Sequence, residues 1–537
     1  MNAFLPCIQK DDDVSKSLYK KVGIATLITT ASIFLSRVTG LLREMALAYI
    51  GGATGDVDAY QIAFVIPEIL NHIGAAGFLS VTFIPIFTEY LVKKDEAEGW
   101  RIFSLICNVF GAIILLFIVV SFIFAEDFIG LIVPGVHNPV IMAKAVRMTR
   151  IIIPAQFFFF TGSLFMAVQY AKEKFAIPAL APIVYNVIII AGGVILHPWL
   201  GIEGFSWGVL AGAFIGQFLI QYWGIKKLGM RYHPLFDFYN PHLLRYVKLT
   251  LPLILGLTMT FSTEIFFRIF GSYLAQGSIA SLNYGLRITL MLVALFGQAV
   301  GTASYPFLAR MAKERQFDQM NNLINSTLRY LALVIPVATL LIVIRHEVVM
   351  ILFQRGRFDA TATALTAQVL GFFLAGAFFI AAQNVVVRGF FAMEDTLFPA
   401  IFSTVAVVVS VPIYYYGMQA FGINGIAFAV SASVALQITI LYVIWNRRTK
   451  NSGSREVFLF IGKMIFLSIA IGLFLEFCKK YILSALDVAT FAGSMASSLI
   501  NGCLFVIIFL AAGRLMKIKE IVDLQNKVAA KMGRTQN

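Results

Sequence analysis

Residues 102–125, IFSLICNVFGAIILLFIVVSFIFA, run for 24 positions without an acidic or basic side chain. A helix rises about 1.5 Å per residue, so this stretch is long enough to cross a hydrocarbon core of about 30 Å. Its apolar residues do not alternate with polar ones, which argues against a strand of a membrane barrel. The stretch therefore predicts a membrane-spanning helix.

The rest of the chain has the same character. Of its 537 residues, 59% are hydrophobic and only 13% are charged, and the mean hydropathy is +0.84. A soluble chain of this length does not carry so much apolar surface. Windows of about 19 residues predict spans near 24–48, 58–90, 102–125, 146–170, 176–197, 203–225, 246–270, 280–308, 326–346, 362–391, 397–417, 423–445, 457–477 and 489–513. The predicted fold class is an all-α polytopic membrane protein with 14 transmembrane helices.

The net charge of +14 predicts topology rather than nucleic-acid binding, because Lys and Arg collect in short gaps between the apolar segments. Lys93 and Lys94, for example, follow the second span, and similar groups recur after spans 4, 6, 8, 12 and 14. By the positive-inside rule, both termini are expected to be cytoplasmic. Two outer gaps, 344–358 and 478–488, break the pattern because each contains basic residues.

Proline and glycine positions recur at a constant offset in residue number. The offset is 221, and it relates Pro85 to Pro306, Pro178 to Pro399, Gly201 to Gly422 and Gly204 to Gly425. These residues punctuate many membrane helices, so chance recurrence is the alternative to a true duplication. An offset of six helices gives parallel repeats, with a substrate site expected between the two halves near the midplane.

This organisation predicts five segments. They are a cytoplasmic N-terminal tail (1–22), an N-terminal lobe of spans 1–6 (23–232), a C-terminal lobe of spans 7–12 (233–446), two additional helices (447–515) and a cytoplasmic basic tail (516–537). Cysteines are far apart in the sequence, so neither a disulfide nor a metal site is expected.

Four arginines lie inside otherwise apolar segments: Arg37, Arg43, Arg268 and Arg287. An arginine at the centre of a membrane helix costs roughly 2.5–3.5 kcal/mol on insertion scales. Each is therefore expected to face the protein interior or a wet cavity, where a set of cations selects an anion.

The first span has no evident internal ion pair. Arg37 and Glu44 are about 10 Å apart along a helix axis, and Arg43 and Glu44 are neighbours that are expected to point apart. Gly40 permits a kink or the close approach of a ligand or helix. The alternative for Arg43 is that its side chain extends to the outer interface.

Two acidic residues are candidate partners of these arginines. Asp58 opens the second span and follows Arg43 by a short outer loop, so it is expected either to hold or release Arg43 or to be an N-terminal acid stabilised by the dipole of its own helix. Glu264 and Arg268 have the i,i+4 spacing of a self-neutralising pair. Arg287 has no acid three or four residues away, which makes it the expected anion ligand of the C-terminal half.

Several blocks resemble one family. They are SRVTGLLRE (36–44), DAYQIAFVIPEIL (58–70), GAAGFLSVTFIPIFTEY (74–90), LNYGLRI (282–288), ILFQRGRFDATATALT (351–366), RGFFAMEDTLFPA (388–400) and FGINGIAFAVSAS (421–433). Together they resemble the MurJ (MviN) lipid II flippases of the multidrug/oligosaccharidyl-lipid/polysaccharide exporter superfamily. The resemblance covers about residues 24–445.

The resemblance implies a transporter, not an enzyme, in the bacterial cytoplasmic (inner) membrane. It would move lipid II, the undecaprenyl-pyrophosphate-linked peptidoglycan precursor, to the outer leaflet by alternating access with a cationic central cavity. Arg37, Arg43, Asp58 and Arg287 align with positions that matter for transport in the family. Further candidates for the cavity are Ser36, Asn71, His72, Glu264 and Arg268. The expected partners are the glycolipid, membrane lipids and cell-wall synthesis proteins, and the expected state is a monomer.

The chain departs from the family pattern at two places. Asn71 and His72, and then Ala76, stand where relatives often have an arginine pair followed by an acid, so His72 is either a partly charged substitute or a buried neutral histidine. Ser410 and Tyr414 stand where some relatives help to bind sodium. No cofactor is expected, and energy is expected from the membrane potential, at about 2.3 kcal/mol per charge per 100 mV, or from a monovalent cation.

Three alternatives stay open. A flippase for another undecaprenyl-linked glycan, such as an O-antigen or exopolysaccharide unit, is favoured by the missing arginine pair. A drug/cation antiporter of the same superfamily would need a buried acid in the first lobe and only 12 helices. A polyprenyl-dependent glycosyltransferase would need longer outer loops than this chain has.

Overall fold

The computed structural model describes residue 28 and residues 31–74, 78–256, 258–395, 397–484 and 486–522. The predicted tail 1–22, Ala76 and most of the basic tail lie outside the described residues. Within the described part of the chain, the regular structure is helical, as predicted. Up to residue 256 the helices are α1 (31–51), α2 (Gly55–Ile62), α3 (Val65–Gly74), α4 (Phe78–Val92), α5 (Glu96–Ile123), α6 (Ala125–Ile132), α7 (Pro139–Ile152), α8 (Ala155–Ala171), α9 (Ala176–Leu200), α10 (Glu203–Gly212), α11 (Ile220–Lys227) and α12 (Pro241–Gly256).

The second half of the chain continues in the same way. Its helices are α13 (Thr258–Gly271), α14 (Ser278–Val293), α15 (Ala299–Lys313), α16 (Phe317–Ala332), α17 (Val334–Val343), α18 (Arg345–Phe353), α19 (Ala360–Ala375), α20 (Ala377–Ala392), α21 (Leu397–Thr449), α22 (Ser454–Phe477) and α23 (Phe491–Leu515). Short π-helical segments cover Ala213–Leu219, Ala294–Gln298 and Cys478–Ile482.

Short polar residues determine where several helices begin. Asp95, Asn138, Asp359 and Thr490 precede α5, α7, α19 and α23, and each side chain accepts a backbone N–H from the first turn. Such caps satisfy donors that have no partner within the helix. Pro139 follows its cap at a first-turn position, where the missing N–H costs nothing.

The chain divides into two compact units. The first contains the described residues up to Ile50 together with Ala59–Ile132 and His137–Ile254. The second contains Gly51–Asp58, Val133–Val136 and the described residues from Leu255 onward. The first unit has an aromatic interior in which Trp100 of α5 packs edge-on against Phe87 and Phe103. In the second unit, Tyr284 of α14 packs in the same manner against Phe358.

The helices are apolar on the outside as well as the inside. On α5, Leu116 is 62% exposed, and only a third of the most apolar window of that helix is buried. Apolar surface of this extent is stable only against lipid. Within the described residues, eight helices are long and apolar enough to cross a membrane, or nine if the bent pair α19 and α20 forms one span. The protein is therefore a polytopic membrane protein, and the number 14 stays a prediction.

Helix boundaries recur at the offset that the proline and glycine positions predicted. Phe78–Val92 recurs at this offset as Ala299–Lys313, and the helices starting at Pro139 and Ala176 recur as helices starting at Ala360 and Leu397. Left-handed backbone positions recur as well. These pairs are Lys94 and Arg315, Glu173 and Glu394, Gly201 and Gly422, and Gly229 and Lys450. Gly201 and Gly422 have nearly the same conformation, with φ 58° and ψ −134° against φ 57° and ψ −129°.

Buried contacts hold Lys479, one of the two lysines in the exceptional gap 478–488. Lys479 lies 2.8 Å from the fully buried carboxylate of Glu347, whose other hydrogen-bond donor is the Ser497 hydroxyl. Lys479 also donates to the carbonyl of Val343. The contacts join the two C-terminal helices to α18.

Candidate functional site

Arg43 lies on α1 between a carboxylate and an amide. Its Nη2 is 2.7 Å from Oε1 of Glu44, and its Nη1 donates to Oδ1 of Asn186 on α9 at 3.3 Å. The expectation that Arg43 and Glu44 point apart was wrong. Glu44 is 4% exposed, and a buried carboxylate needs a cation strongly enough to draw the long arginine side chain around the helix. We refer to Arg43, Glu44 and Asn186 as the Arg43 cluster.

The other candidates on α1 surround this cluster. Arg37 lies six residues earlier and is exposed, so the two guanidinium groups leave the helix about 120° apart. Ser36 is half-buried, and its carbonyl accepts hydrogen bonds from Thr39 Oγ1 and Asn186 Nδ2. Gly40 is helical, and a Cβ there would meet Asn186 Nδ2 at an ordinary 3.8 Å. The glycine is therefore not required sterically.

Asn186 was missed at the level of sequence. It is 7% exposed and stands in an otherwise apolar segment of α9. A lone amide inside a membrane helix was the available signal, because a buried polar group in such a helix needs a partner. Which of the arginines it contacts could not be read from its position in the chain.

Asp58 has partners other than an arginine. Its Oδ2 accepts the backbone N–H of Gly277 at 2.5 Å, and its Oδ1 accepts that of Ala280 at 2.7 Å. These N–H groups belong to the N-terminus of α14, whose own cap residue Gly277 has no side chain to offer. Asp58 lies in the first turn of its own helix α2, as one of the two expectations had it, and its contacts with the N-terminus of a second helix were not predicted. Asp58 thus joins α2 to α14.

Glu264 of α13 is shared by two arginines. Its Oε2 is 3.4 Å from Arg268 Nη2 and 3.5 Å from Arg287 Nη2 of α14. The predicted i,i+4 pair is confirmed, and Arg287, which has no acid three or four residues away in the sequence, takes an acidic partner from a neighbouring helix. We refer to Glu264, Arg268 and Arg287 as the Glu264 cluster.

The two arginines of the Glu264 cluster differ in burial. Arg268 is fully buried, while the side chain of Arg287 is 30% exposed. Nε of Arg287 is buried and has no hydrogen-bond partner in the described part of the protein. Arg287 therefore combines accessibility with an unused donor, as an anion ligand requires.

The remaining candidates lie on α3 and in the eleventh predicted span. Asn71 is half-buried near the end of α3, and the structure describes His72 only through the helical backbone of α3. In the eleventh predicted span, the Ser410 hydroxyl donates to the carbonyl of Val407, and the Tyr414 ring stacks on Phe270 at 5.3 Å. Both side chains thus have partners within the protein.

Each cluster contains one partly exposed guanidinium among apolar helices, Arg43 in the first and Arg287 in the second. Guanidinium is always protonated, and its planar N–H groups match the paired oxygens of phosphate or carboxylate. In a site of low dielectric such contacts are stronger than in water. The chemistry of both clusters therefore suits an anionic ligand.

Comparison with known proteins agrees with this chemistry. The family model described as "Lipid II flippase MurJ" matches residues 47–493. The probable lipid II flippase MurJ of Buchnera aphidicola subsp. Baizongia pistaciae is 27% identical over 79% of this chain and 83% of its own length. The lipid II flippase MurJ of Burkholderia cenocepacia is also 27% identical, over 79% of this chain and 84% of its own length.

Solved structures show the same fold. The lipid II flippase MurJ in an inward closed conformation aligns with a TM-score of 0.74 at 23% identity, over 91% of this chain and 99% of that one. An inward-facing MATE family multidrug resistance transporter of the MOP superfamily aligns with a TM-score of 0.66 at 12% identity, over 77% of this chain and 94% of that one. Because the family model spans most of the chain, this membrane protein belongs to the lipid II flippase MurJ family.

Proposed function

We propose that the protein flips lipid II from the inner to the outer leaflet of the bacterial cytoplasmic membrane, with both termini in the cytoplasm. The observation that carries the proposal is the match to the lipid II flippase family over residues 47–493. The substrate carries a pyrophosphate and peptide carboxylates on a long polyprenyl chain. It therefore needs a protein that offers cations to the headgroup and an apolar surface to the chain.

The two clusters supply the cations. Arg43 is held by two partners and has further N–H groups for a ligand, and Arg287 has a buried unpaired Nε. Arg37 adds an exposed guanidinium on the same helix as Arg43. We assign binding of the pyrophosphate and carboxylates to these three arginines, and alternating access of a cationic cavity to the two sides of the membrane as the transport mechanism.

The duplicated architecture belongs to the same proposal. Recurrent helix boundaries and four recurrent left-handed backbone positions, all at the one offset, support two parallel six-helix lobes. Fourteen spans follow if the two C-terminal helices are added. Movement of charge through the membrane potential, at about 2.3 kcal/mol per charge per 100 mV, is the proposed energy source.

A second candidate is supported by one departure from the family. Asn71 and His72 replace an arginine pair found in relatives, which lowers the number of cations available to the headgroup. A flippase for another undecaprenyl-linked glycan, with fewer acidic groups beyond the pyrophosphate, would need fewer cations. Measuring the transport of each glycolipid would distinguish the two candidate substrates.

Complementation is the direct test. The resident lipid II flippase of a bacterial host is depleted, this chain is expressed, and lipid II accumulation and survival are followed. The parent is expected to restore growth, and Arg37→Ala, Arg43→Ala and Arg287→Ala are expected to fail at equal expression. Arg101→Ala is the matched control, because Arg101 is an exposed arginine of the first unit paired with Glu98.

The outcomes separate the alternatives. Rescue by the parent and the control alone supports lipid II transport through the arginine clusters. If a well-inserted parent does not rescue, lipid II is the wrong substrate, and the second candidate is tested in a host that lacks its O-antigen flippase. Rescue by all the arginine variants would remove these residues from substrate binding.

A further inference from the structure

A buried amide on α9 contacts three successive turns of α1. Asn186 Nδ2 donates to the Ser36 carbonyl and to Thr39 Oγ1, each at 3.4 Å, and Asn186 Oδ1 accepts from Arg43 Nη1 at 3.3 Å. These three contacts fall on residues spaced at three and four positions, which is one face of a helix. The Asn186 amide therefore lies against the face of α1 that carries the Arg43 guanidinium.

The orientation of the amide follows from its neighbours. A guanidinium only donates hydrogen bonds, so the atom facing Arg43 must be the carbonyl oxygen. The Ser36 carbonyl only accepts, so the atom facing it must be the NH₂ group. A reversed amide would place N–H groups against N–H groups, and the amide therefore has one favourable orientation.

Arg43 is held from two directions as a result. Asn186 contacts Nη1, and Glu44 contacts Nη2 at 2.7 Å. A free arginine side chain has many rotamers, and fixing it on a ligand costs conformational entropy. A guanidinium that is already fixed by both partners avoids most of this cost when an anion binds.

We infer that Asn186 is a positioning residue that orients Arg43 for the pyrophosphate of the substrate. The inference rests on the proposed function for the identity of the anion. Asn186 is buried and acts through Arg43 rather than by contacting the substrate itself. The role is distinct from that of Glu44, because a neutral amide holds the guanidinium without reducing its charge.

Binding in nanodiscs tests the inference, with undecaprenyl pyrophosphate as the anionic probe and undecaprenol as the uncharged one. Asn186→Ala is expected to weaken binding of undecaprenyl pyrophosphate about tenfold, the usual effect of a hydrogen bond to a charged group. Binding of undecaprenol should not change. In an Arg43→Ala background, Asn186→Ala should have no further effect.

The matched control is Asn108→Ala. Asn108 is a buried asparagine of the same unit, 8% exposed, and its Nδ2 contacts the carbonyls of His233 and Leu235 rather than an arginine. An equal loss of binding in this control would reduce Asn186 to a packing role. An effect of Asn186→Ala that persists without Arg43 would also overturn the inference.

A second measurement does not depend on any lipid. The reaction of Arg43 with phenylglyoxal is followed by peptide mass spectrometry, with the exposed Arg101 as internal reference. Asn186→Ala should release the guanidinium and speed its modification several-fold. Asn186→Asp, which has the same size, should pair with Arg43, slow its modification below that of the parent and still weaken undecaprenyl pyrophosphate binding.

These opposite changes in reactivity are not expected from a general loss of packing. If Asn186→Ala does not fold, Asn186→Asp alone decides by the direction of its effect. Unchanged reactivity of Arg43 in both variants would overturn the inference. If the parent binds neither lipid II nor undecaprenyl pyrophosphate, the proposed function fails, and phenylglyoxal still decides the role of Asn186.

Discussion

The Arg43 cluster and the Glu264 cluster hold their arginines in different ways. In the Arg43 cluster, one guanidinium has two partners, a carboxylate 2.7 Å away and a neutral amide at 3.3 Å. In the Glu264 cluster, two guanidinium groups share one carboxylate at 3.4 and 3.5 Å. The first arrangement fixes the direction of an arginine, and the second leaves Arg287 loosely held.

The difference teaches how cations are kept inside apolar helices. Each cluster contains an acid that offsets arginine charge, and the Arg43 cluster adds an amide, which holds a guanidinium without offsetting its charge. Glu264 contacts the fully buried Arg268 at 3.4 Å and the more exposed Arg287 at 3.5 Å. We expect geometry to dominate at Arg43 and charge to dominate at Arg287.

Removal of the shared carboxylate should have the largest effect on stability. Glu264→Gln keeps the shape of the side chain but takes away the charge that both arginines contact. Breaking a fully buried ion pair costs about 3 to 5 kcal/mol, and because the Glu264 side chain is 26% exposed we expect a smaller loss, about 2 to 3 kcal/mol, in the free energy of unfolding. Titration of the protein with SDS in mixed micelles measures this free energy.

The control for Glu264→Gln is Glu314→Gln, which removes an exposed i,i+4 pair with Arg310. An exposed pair of this kind contributes about 0.3 to 0.5 kcal/mol. If the two variants lost similar stability, Glu264 would not be the main counter-charge of its cluster.

The effect of arginine-to-lysine substitutions on ligand affinity tests how the Arg43 cluster and the Glu264 cluster differ. We expect Arg43→Ala and Arg287→Ala each to weaken binding of undecaprenyl pyrophosphate about a hundredfold, because each removes contacts worth about 3 kcal/mol. Arg43→Lys should recover little, because a single ammonium group cannot replace the fork that contacts both Asn186 and Glu44. Arg287→Lys should recover most of the affinity. Calorimetry in nanodiscs measures all four variants.

Arg101→Ala serves again as the surface control and should bind like the parent. The comparison fails if lysine restores binding equally at positions 43 and 287. Equal recovery would mean that charge alone matters in both clusters.

Asp58 offers a contrast to both clusters, because its partners are backbone N–H groups. Asp58→Asn removes the negative charge at the N-terminus of α14 and one of the two acceptor oxygens. Loss of such a cap costs about 1 to 2 kcal/mol, and we expect a decrease of that size in the free energy of unfolding. SDS titration again measures it.

Asp127→Asn is the matched control for the cap, since Asp127 is an exposed acid in the first turn of α6. Its substitution should change stability by less than about 0.5 kcal/mol. A similar effect of both variants would mean that the hydrogen bonds from Gly277 and Ala280 contribute little.

The smallest expected effect concerns the missing arginine pair. Asn71 is half-buried, so Asn71→Arg can be accommodated without burying a charge fully. If the substrate is lipid II, the added cation should strengthen binding about fivefold, because a partly exposed ion pair contributes at most about 1 kcal/mol. Asn71→Gln is the control of similar chemistry without charge. Weaker binding of lipid II by Asn71→Arg would favour the second candidate substrate.

Sequence patterns predicted much of the architecture but less of the site. The apolar windows predicted helices because a backbone in lipid must satisfy its own hydrogen bonds. The i,i+4 pair of Glu264 and Arg268 was predictable because helical spacing alone brings the residues together. The contact between Arg43 and Glu44 was not, because it depends on the path of a long side chain rather than on the spacing of Cα atoms.

The contacts of Asp58 and Arg287 could not be predicted from the sequence. Asp58 meets backbone groups far away in the chain, on α14, and Arg287 meets an acid on a different helix. Both contacts depend on how helices pack, and helix packing is set by many small side-chain contacts that leave no simple period in the sequence.

The sequence by itself determined that this protein is a helical membrane protein, that it has charged groups inside its helices, and that Glu264 and Arg268 form a pair. These properties follow from local hydropathy, local charge and helix geometry, which act within a few turns of the chain. Only the tertiary structure decided which partners hold Arg43, Asp58 and Arg287. It placed Asn186 against Arg43, Glu264 between two arginines, and Asp58 at a helix terminus, because a buried polar group takes whichever partner the packing of neighbouring helices brings within hydrogen-bond distance.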